Sequence, residues 1–187
     1  MQLNIGEYKN HDQYLAESVA QVDRLAAMVN DVLRSGSVAE QALRQEKRLR
    51  IDKLVAEVID DYVLLAKTRG MTFAVDVRPT TIRANRDMMR HVISNLVSNA
   101  VRHGDAGSVI TITCNQHELA IKNACKPLTK QQLQHIFDPF YRSSDGTKQH
   151  TDSSGIGLYT VKMLLEAKGL DYDFTPHSQS MRFVVRL

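Results

Sequence analysis

The chain lacks any apolar run long enough to cross a bilayer, which takes about 20 residues. It also lacks the pattern of a secretory signal peptide near its first residue. We therefore expect a soluble, cytoplasmic chain that makes no membrane contact of its own. Cysteine is scarce, with Cys114 and Cys125 alone, and their spacing is not that of metal ligands. Such cysteines suit a reducing cytoplasm, and we interpret Cys125 as a small buried residue.

A strong charge bias is also missing. Lysine and arginine number 24 against 21 acidic residues, and the net charge of +3 is too small and too dispersed to predict nucleic-acid binding. The seven histidines are scattered, without the clustered spacing that metal sites need. With 43% hydrophobic residues in a chain of 187, the protein can bury one ordinary core and an accessory helix.

The segment from 90 to 104, RHVISNLVSNAVRHG, predicts an amphipathic helix with two asparagines on its polar side. Asn95 and Asn99 are four residues apart, so they lie on one face, one turn apart. Their amide oxygens are suitable ligands for a hard cation such as Mg2+. Plain solvation of these side chains is the alternative interpretation. The other face is predicted to be buried and contains Val92, Ile93, Leu96, Val97, Ala100 and Val101.

A second informative segment runs from 136 to 169. It begins with the aromatic cluster FDPFYR (137–142) and continues without an apolar residue from 142 to 154, a run typical of a mobile lid. The sequence GIGL (155–158) then opens an amphipathic helix. Glycines at a helix start let the backbone approach a ligand, and the unpaired N–H groups there favour an anion. A lone glycine pair usually marks only a turn, so the prediction rests on the order and spacing of the whole set.

In this order and spacing, the motifs resemble those of the catalytic and ATP-binding domain of bacterial sensor histidine kinases. Residues 86–104 are similar to the N box of that family, 136–142 to its F box and 153–158 to its second glycine box. The resemblance covers nearly the whole chain. It implies the Bergerat fold, shared with gyrase-type and Hsp90-type ATPases: a two-layer α/β sandwich with a mixed sheet and helices on one face.

The first glycine box departs from the family pattern. Counting back from Phe137 in ELAIKNACKPLTKQQLQHIF places Asn123 where the family usually has an adenine-recognising Asp. Cys125 and Pro127 stand where two glycines are common, and Ser153 replaces the first glycine of the second box. An amide oxygen can still accept a hydrogen bond from adenine. Because one such bond is worth about 1 kcal/mol, we expect weakened rather than abolished binding.

The N-terminal part predicts a long helix that resembles a coiled coil. Leu15, Val22 and Val29 repeat every seven residues, and such a stripe must be buried against other helices. The resemblance makes residues 1–37 the second helix of a dimerisation and phosphotransfer hairpin plus a linker, and 38–187 the catalytic domain. The helix bearing the phosphoacceptor histidine is absent, since His11 lies at a predicted helix start. We therefore expect a fragment of a longer kinase that dimerises through this helix.

Periodicity predicts the remaining elements. Helices are expected at 51–68, from 85 or 86 to 103, and at 155–168, with a short helix after a capping box formed by Thr129 and Gln132. Strands are expected at 71–77, 81–84, 109–114, 118–122, 172–175 and 181–187. The predicted buried positions of the first helix are Leu54, Val58, Tyr62 and Leu65, with Ala66 as a further candidate; Phe137 and Phe140 are predicted to be core anchors.

The resemblance also implies the chemistry, which is transfer of the ATP γ-phosphoryl to a histidine and then to a response regulator. The cofactors are ATP and Mg2+, with Asn95 and Asn99 as metal ligands. Asn95, Asn99 and Arg142 are the expected catalytic residues, with Arg142 near the γ-phosphate. The expected nucleotide-binding residues are Asn99, Arg102, His103, Asn123, Ser153, Ser154, Gly155, Ile156, Gly157 and Leu158.

Other interpretations stay open. Arg102 and His103 also suit a helix C-terminus electrostatically, and Arg142 can pair with Asp138 or Asp145 at the surface. The altered glycine box allows a degenerate nucleotide-binding regulatory module or a phosphatase-dominant sensor with little kinase activity. Another ATPase of the same fold is disfavoured by the heptad helix and the F box, and a purely structural protein by the polar run and the helix-start glycines. The intact protein is expected to be anchored in the bacterial cell membrane.

Overall fold

The computed structural model describes residues 46–142 and 155–187. The predicted helix within 1–37, the domain boundary at 38 and most of the polar run lie outside these residues. In chain order the elements are β1 (Lys47–Arg50), α1 (Ile51–Thr68), β2 (Thr72–Val77), β3 (Thr81–Ala84), α2 (Arg86–His103), β4 (Val109–Cys114), β5 (Glu118–Ala124), α3 (Lys130–His135), α4 (Gly157–Lys168), β6 (Tyr172–His177) and β7 (Ser180–Arg186).

The main sheet has five strands in the order β2-β4-β5-β7-β6. Strand β2 pairs with β4 in parallel, whereas the other three pairings are antiparallel. The predicted mixed sheet is therefore confirmed. A separate ribbon joins β1 to β3 in antiparallel register, with Leu49 opposite Ile82.

One face of the sheet carries the apolar side chains that meet the helices. In the central strands, Ile112 lies opposite Ile121, which in turn lies opposite Phe183, and all three belong to the buried core. The neighbouring row on the same strands points the other way and is polar, with Thr111 opposite Lys122. This alternation follows from the period of two in a strand. The predicted two layers, with helices on one sheet face, agree with this arrangement.

Helix α2 lies at the centre of the helical layer, packed between α1 and α4 and against β5. It begins after Asn85, whose side chain accepts hydrogen bonds from the N–H groups of Asp87 and Met88 at 2.9 and 3.1 Å, a standard N-cap. The Tyr62 hydroxyl of α1 lies 2.8 Å from the Ser94 hydroxyl of α2. The buried residues of α2 are Met88, Met89, Val92, Ile93, Leu96, Val97, Ala100 and Val101, so the predicted apolar face is confirmed.

The element predictions hold with some corrections. Helices α1 and α2 have the predicted bounds, and the capping box of Thr129 with Gln132 is present. Strand β1 was not predicted, and α4 begins at Gly157 instead of Gly155. Leu65 was wrongly predicted to be buried, since it is 41% exposed while Ala66 is 1% exposed. No helix among the described residues is both long and apolar enough to span a membrane.

The start of α1 is tied to the turn between β2 and β3. The Ile51 N–H donates to the Thr80 carbonyl at 3.0 Å, and the Thr80 N–H donates to the Asp52 carboxylate at 3.2 Å. Arg50 donates to the same carboxylate through Nε at 2.8 Å and Nη2 at 2.5 Å. These hydrogen bonds, with Arg50 contributing most, lower the pKa of Asp52 from 3.8 to about 2.

We expect Asp52→Asn to lower the free energy of unfolding at neutral pH. Because the pKa of Asp52 is lower in the folded chain, its stabilising contribution is fully present above about pH 4 and is lost as the pH falls through about 2. Urea unfolding of the unmodified chain and of Asp52→Asn, between neutral pH and about pH 3, should therefore show a difference in the free energy of unfolding that becomes smaller as the pH falls. Asp60→Asn, at an exposed carboxylate of the same helix, is the matched control. A difference in the free energy of unfolding between Asp52→Asn and the unmodified chain that does not change with pH would contradict the lowered pKa of Asp52.

Candidate functional site

The polar side of α2 presents Asn95 and Asn99, which are both half-buried. The Asn95 Nδ2 group donates to the His91 carbonyl one turn earlier, at 3.0 Å. This bond fixes the amide so that its oxygen Oδ1 is turned towards the first residue of α4. A β-carbon at Gly157 would lie only 3.1 Å from Asn95 Oδ1. The absence of a side chain at Gly157 therefore allows the asparagine and the start of α4 to approach each other.

The start of α4 is held in place by an apolar anchor. Ile156 is 1% exposed, and its carbonyl accepts a hydrogen bond from the Thr160 N–H at 2.8 Å. The first turn of a helix has N–H groups without intrahelical partners and carries a partial positive charge. The structure thus brings Gly157, the second of the two predicted glycines, to Asn95 on the polar face of α2. This arrangement offers amide oxygens to a cation and N–H groups to an anion at neighbouring positions.

The end of α2 lies against the end of β5. Arg102 and His103 are exposed, and the chain then turns through Gly104, where a β-carbon would lie 2.6 Å from the Ala100 carbonyl oxygen. No side chain fits there without a backbone shift. The next residue, Asp105, donates its N–H to the Ala124 carbonyl at 2.8 Å. The last turn of α2 is therefore adjacent to the altered glycine box.

Asn123 is 7% exposed and occupies the second-last position of β5. It lies on the same sheet face as Ile121, which is the face covered by α2. Burial raises the pKa of the nearby Cys125 thiol above its ordinary value of 9.0. Cys125 is 9% exposed, which agrees with its interpretation as a small buried residue. At neutral pH the thiol is protonated, so this part of the box is uncharged.

The F-box aromatics differ in their environments. Phe137 contacts the rings of Tyr172, Phe174 and Phe183 at centroid distances of 5.4, 6.4 and 6.3 Å, as predicted for a core anchor. Phe140 was wrongly predicted to be one. It is 53% exposed and has a φ of 65°, a left-handed conformation that costs an L-residue about 1–2 kcal/mol.

A backbone contact joins the F box to the second glycine box. The Phe140 N–H donates to the Gly155 carbonyl at 3.2 Å. Gly155 has a φ of 71°, and a β-carbon there would lie 2.9 Å from the Phe140 carbonyl carbon. Arg142 is exposed two residues beyond this contact. Ser153 and Ser154 lie outside the described residues.

The donor chemistry fits a magnesium ion bound together with phosphates. Among residues 46–142 and 155–187, no group of three or more histidine, cysteine, aspartate or glutamate side chains could hold a metal. Mg2+ usually keeps several water ligands and takes only one or two from the protein in addition to substrate phosphates. Asn95 and Asn99 could supply amide oxygens in this number, and Asn95 lies beside the start of α4.

The sequence motifs contain the asparagines and glycines of this site but not Asp105 or Arg69. Arg69 follows α1 and donates to backbone carbonyls at the end of α2, a contact between residues more than 30 positions apart. Local patterns hold no signal for such a contact. Asp105 acts through its backbone N–H, so its side chain gives no signal either.

The chain belongs to the family of histidine kinase-, DNA gyrase B- and HSP90-like ATPases, whose family model matches residues 84–187. This match covers α2, the altered glycine box and α4. The predicted resemblance to the catalytic domain of sensor histidine kinases is confirmed by this match and by the relatives of the chain.

One curated relative is the sensor histidine protein kinase HK06 of Streptococcus pneumoniae, 34% identical over all of this chain. The chain spans 42% of the length of that kinase. Two solved structures share the fold. Full-length ShkA in complex with AMPPNP has a TM-score of 0.71 at 22% identity, over 93% of this chain and 38% of that one. Histidine kinase ThkA in complex with the response regulator protein TrrA has a TM-score of 0.69 at 16% identity, over 100% and 54%. At these identities the likeness to the two structures concerns the fold alone.

We expect Gly155→Ala to lower the free energy of unfolding by more than about 1 kcal/mol. The cost combines the left-handed backbone at position 155 with the close approach of Phe140. Gly169→Ala is a matched control, because Gly169 also has a positive φ, of 74°, but nothing within 4 Å of its would-be β-carbon. Thermal and urea unfolding of both variants separate the two costs. Equal destabilisation would show that the contact with Phe140 contributes nothing.

Proposed function

We propose that this chain is the ATP-binding and kinase portion of a two-component sensor histidine kinase. The observation that carries the proposal is the meeting of three elements: the asparagine face of α2, the glycine start of α4 and the end of β5. The contacts that define this meeting are Asn95 with Gly157 and Asp105 with Ala124. The relatives named above, as sensor kinases, support the assignment.

In this proposal Asn99 is the main protein ligand of Mg2+, and Asn95 is a second or water-mediated ligand. The ion, when bound, neutralises phosphate charge. The half-buried position of both residues supports this role because they lie on a packed helix without being fully buried.

The phosphates would lie over the start of α4. Gly155 and Gly157 let the backbone N–H groups approach them closely. Arg102, exposed at the end of α2, would add positive charge, and Arg142 would approach the γ-phosphate. Ser153 and Ser154, in the preceding segment, belong to the same expected set.

The adenine would contact the region between the end of β5 and α4. Asn123 would accept a hydrogen bond from the base amino group through its amide oxygen, and His103 would lie against the base or ribose. Ile156 and Leu158 would supply apolar contacts. The burial of Asn123, which is 7% exposed near the end of β5, supports a side chain held in one orientation.

Phosphoryl transfer needs alignment and charge neutralisation more than covalent help from the protein. The residues of this chain would therefore hold the γ-phosphate in line with a histidine nitrogen on a dimerisation helix, supplied by a homodimer of the intact protein. From there the phosphoryl group would pass to a response regulator. Anchoring of the intact protein in the cell membrane, with this part in the cytoplasm, completes the proposal.

A second candidate is a nucleotide-binding regulatory module, or a phosphatase-dominant sensor, with little kinase output. The specific observation in its favour is the altered glycine box, in which the side chains of Asn123 and Cys125 are both buried. Pro127 further restricts the backbone where glycines would leave it adaptable.

We expect the purified chain to bind Mg-ATP saturably and Asn99→Ala to lose this binding, because the variant removes the main metal ligand. Isothermal titration calorimetry with and without Mg2+ measures both. Gln116→Ala is the control, since Gln116 is an exposed amide in the turn at the opposite end of β5. Absence of binding by the unmodified chain at millimolar ATP would overturn the nucleotide-binding proposal.

We expect phosphoryl transfer in trans to a separately produced dimerisation hairpin that bears the acceptor histidine. ATP labelled at the γ-phosphate should label the hairpin in the presence of this chain, and the chain alone should remain unlabelled. An Asn99→Ala preparation should give no label on the hairpin. Saturable ATP binding without transfer would favour the regulatory module over the kinase.

A further inference from the structure

Arg69 reaches from the end of α1 to the end of α2. Its guanidinium donates through Nη1 to the Val101 and Arg102 carbonyls, the latter at 2.6 Å, and through Nη2 to the Gly104 carbonyl at 3.0 Å. The side chain is half-buried. One cation thus binds two backbone oxygens of α2 and one of the residue that follows it, although Arg69 lies more than 30 residues away in sequence.

The physical reason is the set of unpaired carbonyls at the end of a helix. The last four carbonyls of an α-helix have no intrahelical N–H partner and carry a partial negative charge. A guanidinium is permanently charged and presents several N–H groups in a rigid plane, so it can satisfy a cluster of oxygens that a lysine would contact only in part. Arg69 therefore holds the last turn of α2 by charge-assisted hydrogen bonds.

Two expected ligand contacts depend on this turn. Arg69 binds the backbone carbonyl of Arg102, and His103 is the next residue in the chain. Gly104 continues from the same turn into Asp105, whose N–H is bonded to Ala124 beside Asn123. The guanidinium thus fixes the last turn of α2 relative to α1, and that turn is bonded directly to the end of β5.

We propose that Arg69 is a positioning residue for the nucleotide site, acting through the last turn of α2. This inference rests on the proposed function, because it assumes that Mg-ATP binds between α2, α4 and β5. In this proposal Arg69 acts through its hydrogen bonds to the backbone at the end of α2 and not through contact with the ligand. It holds Arg102 at the phosphates and keeps the end of α2 in register with the adenine-reading position.

The test is the affinity of Arg69→Met for Mg-ATP by isothermal titration calorimetry. Methionine keeps much of the aliphatic packing and removes all three hydrogen bonds. We expect the dissociation constant to rise about tenfold, the lower end of the effect seen when a group that orients a metal ligand is lost. Arg83→Met is the matched control, because Arg83 is exposed on β3, outside the proposed site. Circular dichroism and thermal unfolding establish that each variant is folded at the titration temperature.

A double-mutant cycle with Arg102→Ala separates positioning from simple stabilisation of the fold. If Arg69 acts through Arg102, the two substitutions together should weaken Mg-ATP binding by little more than Arg102→Ala alone. Adenosine, which has no phosphates, should bind Arg69→Met and the unmodified chain with more similar affinities than Mg-ATP does. Arg69→Lys should recover part of the affinity, since it keeps the charge and one or two of the hydrogen bonds.

The outcomes separate this inference from the proposed function. If the unmodified chain binds Mg-ATP and folded Arg69→Met binds it equally well, only the role of Arg69 is overturned. Fully additive effects of the two substitutions, or loss of folding in both Arg69→Met and Arg69→Lys, would also overturn it and leave Arg69 a structural residue. No binding by the unmodified chain would overturn both proposals.

Discussion

The burial of one face of α2 is the constraint on which the rest of the structure depends. Eight of its residues are buried between α1, α4 and the sheet, and burying a side chain such as Leu or Ile contributes roughly 1.5–3 kcal/mol. Because helical positions recur every 3.6 residues, fixing the apolar face also fixes the direction of the opposite one. The orientation of Asn95 and Asn99 is therefore a consequence of core packing.

The second requirement is that neighbouring segments of the chain approach each other closely, and glycine residues meet it because they have no side chain. Gly104, Gly155 and Gly157 each stand where a β-carbon would come within about 3 Å of another atom. These contacts join the end of α2 to its own preceding turn, the F box to the residues just before α4, and α4 to Asn95. At Gly157, the first residue of α4, alanine would be the better helix former, so the glycine marks a place where close approach outweighs helix propensity.

Most of the elements could be predicted from the sequence because their patterns are local. Helices α1 and α2 have strong caps or clear periodicity, and their predicted bounds agree with the structure. Strand β1 escaped prediction because KRLR resembles a charged loop, and its pairing with β3 is a long-range contact. Leu65 was misassigned because the buried stripe of α1 passes through Ala66 at this end of the helix.

Some residues of the candidate site could likewise be predicted from the sequence, and others could not. The sequence motifs contain the asparagines and glycines of the site, and the structure places Asn95 beside Gly157. Phe140 could not be predicted, because an aromatic residue is expected in the core and its left-handed backbone depends on the contact with Gly155. The contacts of Arg69 could not be predicted either, since its hydrogen-bond partners are backbone carbonyl groups, which every residue possesses.

The order of the main sheet also has a consequence for self-association. Within the described residues, β2 and β6 form its two edges, and unpaired edges are templates on which a second chain can add a strand. Strand β6 contains Pro176, which has no N–H group to offer and therefore interrupts such pairing. Strand β2 contains no proline, and its Val75 is 50% exposed beside the charged Asp76. Of the two edges, β2 is consequently the one on which strand addition meets less resistance.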